Sequence, residues 1–359
     1  MQPVGLYIHV PFCKRKCAYC DFFSASPRAN QTDTSLTDGY VRAVIRNIKA
    51  AGIKYDTVYF GGGTPSLLNA GQIADIISAA DISNGAEISM ECNPDSAGFG
   101  YLCGLRSAGV NRISFGIQSL NNGELAALGR LHSAEKAAET VLAAEKSGFK
   151  NISADIMLAT PMQTADSLNR TLDMLLTLPL THISAYLLKV ENGTPLSLNR
   201  TLLEKVPDDD STADMYLMTV EKLSSAGFEQ YEISNFARKG FECRHNLKYW
   251  RCGEYFGIGP SAHSFMDGVR YCCPANTEKF IEDPLQERVF LSKGGDPEER
   301  AMLALRLTKE GLRLADFPEA EKRAEPLLKG GLVKKEYGMI RLTPEGCLVS
   351  NEIICRLIG

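Results

Sequence analysis

Residues 5–20 read GLYIHVPFCKRKCAYC, an apolar run that leads directly into three closely spaced cysteines, Cys13, Cys17 and Cys20. The run Gly5–Val10 is the first of six short apolar or β-branched segments, and segments of helical period lie between them. Such alternation predicts parallel strands joined by right-handed helical crossovers. Six units fall short of the eight that close a complete barrel, so an open barrel or a doubly wound sheet is predicted.

The remaining predicted strands are Thr57–Phe60, Glu87–Glu91, Arg112–Ile117, Ile152–Leu158 and His182–Leu188. The predicted helices are Thr37–Ala51, Ala70–Ala80, Tyr101–Ala108, Asn122–Ser147, Ala165–Leu178 and Ser211–Ala226. Polar or glycine-rich residues follow each strand, where parallel α/β folds bind their ligands. A ligand site is therefore expected at the carboxyl ends of the strands.

The pattern changes after residue 236. Residues 240–275 lack a clear period, and beyond residue 296 come two predicted helices, a small ribbon and a last helix, Pro344–Leu357. We predict an α/β protein with a partial (β/α)6 TIM-like barrel in residues 1–236. A connecting region follows in residues 237–290, and residues 291–359 form a smaller α+β winged-helix-like domain.

Composition narrows the class of protein. The chain has 359 residues, is 44% hydrophobic and 23% charged, and carries a formal net charge of −4. This is an ordinary globular composition, and it excludes a disordered, collagenous or coiled-coil chain. The acidic balance and the mixed charges of the C-terminal region predict no nucleic-acid partner. Neither a transmembrane segment nor a targeting segment is recognisable, which predicts a cytoplasmic location.

The cysteine triplet is the strongest chemical signal among the chain's eleven cysteines. A structural zinc site takes four ligands, and an ordinary [4Fe–4S] cluster takes four cysteines. Three thiolates in one loop therefore suggest a cluster with one iron left open to a small molecule. The alternatives are a zinc site completed by His9 or Cys92, or three unrelated buried thiols.

Four stretches resemble the HemN/HemW family of the radical S-adenosylmethionine (SAM) superfamily. They are residues 5–13, residues 59–66 (YFGGGTPS), residues 112–119 (RISFGIQS) and residues 128–132 (LGRLH). This family contains oxygen-independent coproporphyrinogen III dehydrogenases and HemW-type haem chaperones. The resemblance extends over nearly the whole chain, although residues 159–163 (ATPMQ) replace the more usual Gly-Leu-Pro-x-Gln.

The resemblance implies that Cys13, Cys17 and Cys20 hold a [4Fe–4S] cluster whose open iron is chelated by SAM. One electron into the cluster would cleave SAM to a 5′-deoxyadenosyl radical. The residues that match family positions for SAM are Tyr7, Tyr19, Gly62, Gly63, Thr64, Glu91, Gln118, Arg130 and Asp155. The structural alternatives are an exposed salt bridge for Arg130 and a helix cap for Asp155.

Two features resemble the chaperone branch of the family. Phe22 stands where the dehydrogenase branch has a further cysteine, and residues 244–250 read RHNLKYW. This resembles a haem-binding motif, which implies haem contacts at His245, Asn246, Tyr249 and Trp250. Cys243 and Cys252 flank the motif and are alternative iron ligands. The structural alternative is a hydrogen-bonded loop histidine beside a buried tryptophan.

The expected function is that of a haem chaperone, with haem as cargo and haem-acceptor proteins as partners. The alternative is an oxygen-independent coproporphyrinogen III oxidase that forms protoporphyrinogen IX. Lys14, Arg15 and Lys16 form a basic rim beside the cysteines. Such a rim suits an acidic flavodoxin- or ferredoxin-like electron donor, steered by its charge.

Overall fold

A computed structural model of the chain describes residues 3–24 and 35–359. Its larger sheet contains six consecutive parallel strands: β1 Val4–Val10, β2 Lys54–Gly62, β3 Asp81–Cys92, β4 Arg112–Gln118, β5 Asn151–Leu158 and β6 His182–Leu187. They lie side by side in chain order, as the repeated strand–helix pattern predicts. The α/β class is confirmed.

Strand register places the polar residues of neighbouring strands in one row. Glu91 of β3 lies opposite Ser114 of β4, and Gly116 of β4 lies opposite Asp155 of β5. Asp155 in turn lies opposite Ser184 of β6. Because side chains alternate between the faces of a strand, these residues point to one side, while the apolar residues between them enter the core.

The helices are α1 Ser35–Ala51, α2 Ala70–Ala79, α3 Phe99–Ala108, α4 Asn122–Ala127, α5 Ala134–Lys146, α6 Ala165–Leu176, α7 Arg200–Leu203, α8 Asp209–Ser225, α9 Arg244–Trp250, α10 Thr277–Glu282, α11 Pro297–Leu305, α12 Glu319–Lys329, α13 Pro344–Leu348 and α14 Ser350–Ile358. The first of them covers β1: Tyr40 and Val44 of α1 are fully buried, as are Leu6 and Ile8 of β1.

The prediction of one helix over Asn122–Ser147 is wrong. Gly129 has φ 75°, a left-handed conformation that ends a helix, and the Ser133 side chain then accepts a hydrogen bond from the Lys136 amide to begin α5. The predicted last helix is also two helices, because Val349 between α13 and α14 has non-helical backbone angles.

Residues 229–293 extend the sheet beyond the six parallel strands. The added strands are β7 Glu229–Glu232, β8 Asn235–Ala237, β9 Tyr255–Ile258, β10 His263–Met266, β11 Val269–Cys272 and β12 Val289–Lys293. The sheet order is β12-β11-β10-β9-β1-β2-β3-β4-β5-β6-β8-β7, so β9 pairs with β1 and β8 pairs with β6. Strands this short carry too little periodicity to be recognised in the sequence.

The C-terminal region forms a small α+β unit, as predicted. Its antiparallel sheet has the order β13-β15-β14, with β13 Leu312–Arg313, β14 Val333–Glu336 and β15 Met339–Leu342. The division of the chain into three domains stays a prediction. In residues 3–24 and 35–359, no helix has both the length and the apolar character required to cross a bilayer.

Candidate cofactor site

A cavity of about 340 Å³, here called the cofactor cavity, opens at the carboxyl ends of the parallel strands. The sequence predicted a ligand site at this edge. The predicted site residues that line the cavity are Cys13, Cys17, Tyr19, Cys20, Gly62, Gly63, Thr64, Glu91, Gln118, Arg130, Asp155 and Asn246. Residues far apart in the chain meet here because parallel strands share their carboxyl-terminal edge.

The loop that carries the cysteines is fixed by backbone hydrogen bonds at its centre. The Ala18 amide donates to the Leu128 carbonyl at 3.0 Å, and the Ala18 carbonyl accepts from the Leu196 amide at 2.8 Å. All three thiols of the loop are free and only partly exposed. Burial raises the pKa of the Cys20 thiol, an effect that the Phe22 backbone opposes. The loop thus presents three sulfur atoms to one cavity.

The glycine run after β2 brings backbone against the cysteine loop. The Gly63 amide donates to the Val10 carbonyl at 2.8 Å, and the Thr64 amide donates to the Phe12 carbonyl at 2.7 Å. A Cβ on Gly63 would lie 2.6 Å from the Phe12 carbonyl oxygen, and one on Gly62, whose φ is 105°, would lie 2.6 Å from the imidazole of His9. Glycine is therefore required at both positions.

Arg130 lies beside the cysteine loop and links it to two strands. Its guanidinium donates to the Cys17 sulfur at 3.3 Å and, at 2.7 Å each, to the Asn93 side chain and the Gly116 carbonyl. Burial alone would lower the pKa of Arg130, but Tyr19 and Cys17 raise it above its ordinary value. Arg130 forms no exposed salt bridge in the described ranges and supplies a buried positive charge next to a cysteine sulfur.

Two carboxyl groups face the interior of the cavity. Glu91 accepts a hydrogen bond from the Tyr59 hydroxyl at 2.8 Å, and Asp155 accepts one from the Ser114 hydroxyl at 3.1 Å. Burial, together with the charge of Asp155, raises the pKa of Glu91 to about 7. Burial also raises the pKa of Asp155. Two buried carboxyl groups with raised pKa values suit a cationic or hydroxyl-rich ligand.

Arg112 also lines the cavity, and its role was missed from the sequence. Its side chain is 2% exposed, and its Nε atom has no hydrogen-bond partner within residues 3–24 and 35–359. Burial alone would lower the pKa of Arg112, but Cys243, Glu87 and Tyr59 raise it. The alternation of residues along β4 could have indicated this role, because alternate residues of a strand face the same side. Arg112, Ser114, Gly116 and Gln118 all line the cavity.

The predicted haem motif does not form a single surface. His245 is fully buried, and its ring nitrogens lie 2.8 Å from the Thr57 hydroxyl and 2.8 Å from the Tyr249 hydroxyl. Its ring stacks on Tyr59 at 5.2 Å between centroids. Burial, helped by Lys248, lowers the pKa of His245 to about 3, which keeps the imidazole neutral. In this conformation both nitrogens are engaged.

The other predicted residues differ in whether they reach the cofactor cavity. Asn246 reaches the cofactor cavity, whereas Trp250 lies on a second cavity, with the Arg306 guanidinium 5.0 Å from its ring centroid. Tyr7 lies behind the glycine run, where its hydroxyl is 3.1 Å from His9 Nδ1, and it does not reach the lining of the cavity. The assignment of these residues to SAM and haem stays a prediction.

The donor set fits an iron–sulfur cluster with one iron not bound by the chain. Three thiols from one loop face the cavity, and the glycine run leaves room beside Cys13 that a Cβ would fill. In the part of the chain that the structure describes, no three His, Cys, Asp or Glu side chains converge as they would around a single ion.

Comparison with known proteins agrees with this geometry. A family model of the radical SAM superfamily matches residues 7–175. The Heme chaperone HemW of Mycobacterium tuberculosis H37Rv is 36% identical over 100% of this chain and 95% of that protein. The Heme chaperone HemW of Lactococcus lactis is 32% identical over 98% of this chain and 96% of that protein.

Two further comparisons concern a mitochondrial relative and a solved structure. Radical S-adenosyl methionine domain-containing protein 1, mitochondrial, of Bos taurus is 33% identical over 100% of this chain and 88% of that protein. Coproporphyrinogen III oxidase (HemN) from Escherichia coli, a radical SAM enzyme, superposes with a TM-score of 0.82 at 22% identity, over 100% of this chain and 90% of that one. At that identity, the superposition shows the fold alone.

The fold and the three-cysteine loop define a radical SAM protein, a class that implies a [4Fe–4S] cluster and SAM. Within that superfamily, the chain belongs to the HemW family.

Proposed function

We propose that this protein binds haem and delivers it to acceptor proteins. The observation that carries the proposal is similarity over the full chain to bacterial proteins named heme chaperones. Phe22 at the position of the dehydrogenase branch's extra cysteine supports the same choice. The likeness to coproporphyrinogen III oxidase concerns the fold and does not favour that enzyme's reaction.

The proposed resident cofactors are a [4Fe–4S] cluster on Cys13, Cys17 and Cys20, and SAM at its open iron. When bound and reduced, such a cluster can supply one electron for cleavage of the sulfonium. Two residues of the chain would position the cluster through its ligands: Arg130 donates to the Cys17 sulfur, and the Thr64 hydroxyl lies 3.5 Å from the Cys13 sulfur. Such bonds to sulfur tune cluster potential.

SAM would lie along the row of polar residues that faces the cavity. Gly62 and Gly63 offer backbone without side chains, and Glu91 and Asp155 offer acceptors for the N–H groups of the SAM amino group and for the ribose hydroxyls. Arg112 provides an opposing positive charge that keeps this buried row from being wholly acidic. Tyr19, Gln118 and Arg130 complete the lining, and Tyr7 supports the glycine run from behind.

SAM affinity should depend on pH through Glu91. The pKa of Glu91 is raised from 4.5 to about 7, so the carboxylate that would accept hydrogen bonds from the SAM amino group forms only as the pH passes neutrality. We expect the SAM dissociation constant to fall as pH rises from about 6 to 8, by up to about tenfold per pH unit below the pKa. Isothermal titration of the reconstituted protein measures it.

The control for this prediction is Glu91→Gln, which should bind SAM weakly and with a shallower pH profile; the dependence that remains is that of the SAM amino group, since an α-amino group titrates at about pH 8. The stability of the free protein should change in the opposite sense. A raised pKa means that the folded state holds the proton more tightly, so this contribution to stability is lost as pH rises from about 4.5 through 7. An unchanged slope in the Gln variant would assign the effect to another group.

The cluster needs an electron from outside the chain. Arg15 and Lys16 line the mouth of the cofactor cavity, and Lys14 pairs with Asp95 at 3.2 Å. We propose that an acidic flavodoxin- or ferredoxin-like protein docks here, steered by charge. We propose that haem delivery takes place in the cytoplasm. Haem-acceptor proteins would be the other partners.

Haem transfer tests the proposed function. Reconstituted protein, loaded with one equivalent of haemin under anaerobic conditions, should pass it to an apo-globin, and the globin Soret band should report the transfer. Haemin offered with serum albumin as the donor controls for release into solution. Failure of the protein to bind haemin, or retention of haem in the presence of excess apo-globin, would contradict the proposal.

A further inference from the structure

Gln118, at the end of β4, has a strained backbone conformation. Its φ is 69°, a left-handed value that is uncommon for a residue with a side chain. The Ser119 amide donates to the Ile117 carbonyl at 2.9 Å, so Gln118 is the central residue of a γ-turn. Such turns with positive φ are rare and strained, and they persist only where the surrounding structure enforces them. Contacts outside the turn must therefore stabilise it.

The turn presents the Gln118 side chain to the cofactor cavity. Gln118 lines that cavity beside Gly116 and Arg130. Its side-chain amide forms no hydrogen bond with residues 3–24 or 35–359. A carboxamide carries both donors and an acceptor, so this group is available to a ligand in the cavity.

Glu124 of α4 is a buried acid that lies behind the turn. It is 1% exposed and does not line the cofactor cavity. One of its carboxylate oxygens accepts from the Ser119 hydroxyl at 2.6 Å, and the other accepts from the Ser167 hydroxyl at 2.5 Å. The Gln163 amide donates a third hydrogen bond at 3.1 Å. A buried carboxylate with three donors is firmly held, so Glu124 fixes the position of Ser119.

Ser119 connects this acid to the backbone that leaves the turn. It is fully buried, and its hydroxyl accepts from the Asn121 amide at 3.0 Å while it donates to Glu124. The Asn121 side chain in turn accepts from the Glu124 amide at 3.3 Å. These hydrogen bonds close a ring over residues 119–124, which restrains the amide side of the γ-turn.

The carbonyl side of the turn is held by the stretch at residues 128–132. The Arg130 guanidinium donates to the Gly116 carbonyl at 2.7 Å, and His132 Nε2 lies 3.1 Å from the Ile117 carbonyl. A carbonyl oxygen can only accept, so Nε2 carries the proton and donates. Burial, together with the charge of Arg130, lowers the pKa of His132 to about 4, which keeps the ring neutral.

We propose that Glu124 and His132 are positioning residues that hold Gln118 in its strained turn, so that the Gln118 amide meets SAM in the cofactor cavity. This inference rests on the proposed placement of SAM along the polar row. It gives a role to two residues of the family-like stretches, His132 and Gln163, that do not line the cavity. Because the turn is ordered before a ligand arrives, SAM binding requires no ordering of Gln118.

Isothermal titration of the full reconstituted chain with SAM tests the inference through a double-mutant cycle. Gln118→Ala and Glu124→Ala should each weaken SAM binding by about tenfold, and the double variant should bind SAM within about twofold of either single variant. Independent effects would instead multiply, so the cycle distinguishes a residue that acts through Gln118 from one that only stabilises the fold. Iron per chain should stay at the wild-type value.

Two milder variants and a matched control accompany the cycle. Ser119→Ala removes the hydroxyl between Glu124 and the turn, and His132→Phe removes the donor to the Ile117 carbonyl. Each should weaken SAM binding by about threefold or more, but not in the Gln118→Ala background. Thr219→Val removes an equally buried hydroxyl on α8, outside the cavity lining, and should bind SAM as wild type does.

The outcomes separate the two proposals. If wild type does not bind SAM, or if Gln118→Ala binds it as tightly as wild type, the proposed placement of SAM fails. If Gln118→Ala weakens binding but Glu124→Ala has no effect, or has the same effect in both backgrounds, the placement stands and the inference is overturned. If Glu124→Ala does not fold, Ser119→Ala decides by the same comparison.

Discussion

Cys17→Ala should abolish cluster assembly. Only three cysteines face the cofactor cavity from the loop, so each one is needed to hold the cube, and no described side chain stands ready as a replacement on the loop. Loss of an outer-shell partner costs roughly 10–100-fold in metal affinity, and loss of a direct ligand should cost more. We therefore expect iron and labile sulfide per chain to fall to background. Chemical analysis of anaerobic preparations and the broad visible absorbance of the cluster measure the loss.

Cys355→Ala is the matched control for this variant. Cys355 is an exposed free thiol on α14, away from the cofactor cavity, and its removal should leave iron and sulfide at wild-type values. An equal iron content per chain in Cys17→Ala and wild type would contradict the assignment of a cluster to the three cysteines. Stoichiometric zinc without sulfide in wild type would instead support the zinc alternative.

Gly63→Ala should damage the site by steric displacement. The added Cβ would lie 2.6 Å from the Phe12 carbonyl oxygen, 2.9 Å from the Val10 carbonyl oxygen and 3.1 Å from the Cys13 sulfur. The two carbonyls belong to backbone and cannot swing aside, so the cysteine loop must move. We expect a loss of about 1–3 kcal/mol in unfolding free energy and a large loss of cluster occupancy.

Gly100→Ala provides the comparison for that variant. No atom lies within 4 Å of a Cβ built on Gly100, which sits in α3. Replacing a helical glycine at an open position should stabilise the protein by about 0.5–1 kcal/mol and leave the cluster intact. Denaturant unfolding measures the change in unfolding free energy of both variants, and iron analysis measures their cluster occupancy. A Gly63→Ala protein with wild-type iron content would show that the close approach is not required.

The parallel strands and the position of the site were predictable because their signals are local. Each strand is a short run with its own polar end, and a parallel sheet brings all of those ends to one edge. Cys13, Gly63, Glu91 and Gln118 follow or lie at the ends of four different strands, Asp155 lies within a fifth, and all of them meet in the cofactor cavity. Topology alone requires that meeting, so no tertiary detail was needed.

The burial and the contacts of the side chains in residues 244–250 could not be predicted in the same way. His245 meets Thr57, which lies 188 residues earlier in the chain, and its partner Tyr249 lies four residues later. The local sequence does not indicate that His245, in the first turn of α9, is buried, or that Trp250, at its end, lines a different cavity. The burial of Arg112 was hidden for a related reason, since its neighbours Glu87 and Cys243 come from distant segments.

We propose that this radical SAM protein carries haem and does not convert a porphyrinogen. The direct measurement offers coproporphyrinogen III, reductant and SAM to the same reconstituted preparation that passes haem to apo-globin, and follows porphyrins by fluorescence after chromatography. We expect the coproporphyrinogen to be recovered with all four carboxylates while haem transfer proceeds. Formation of protoporphyrinogen IX over many turnovers would contradict it.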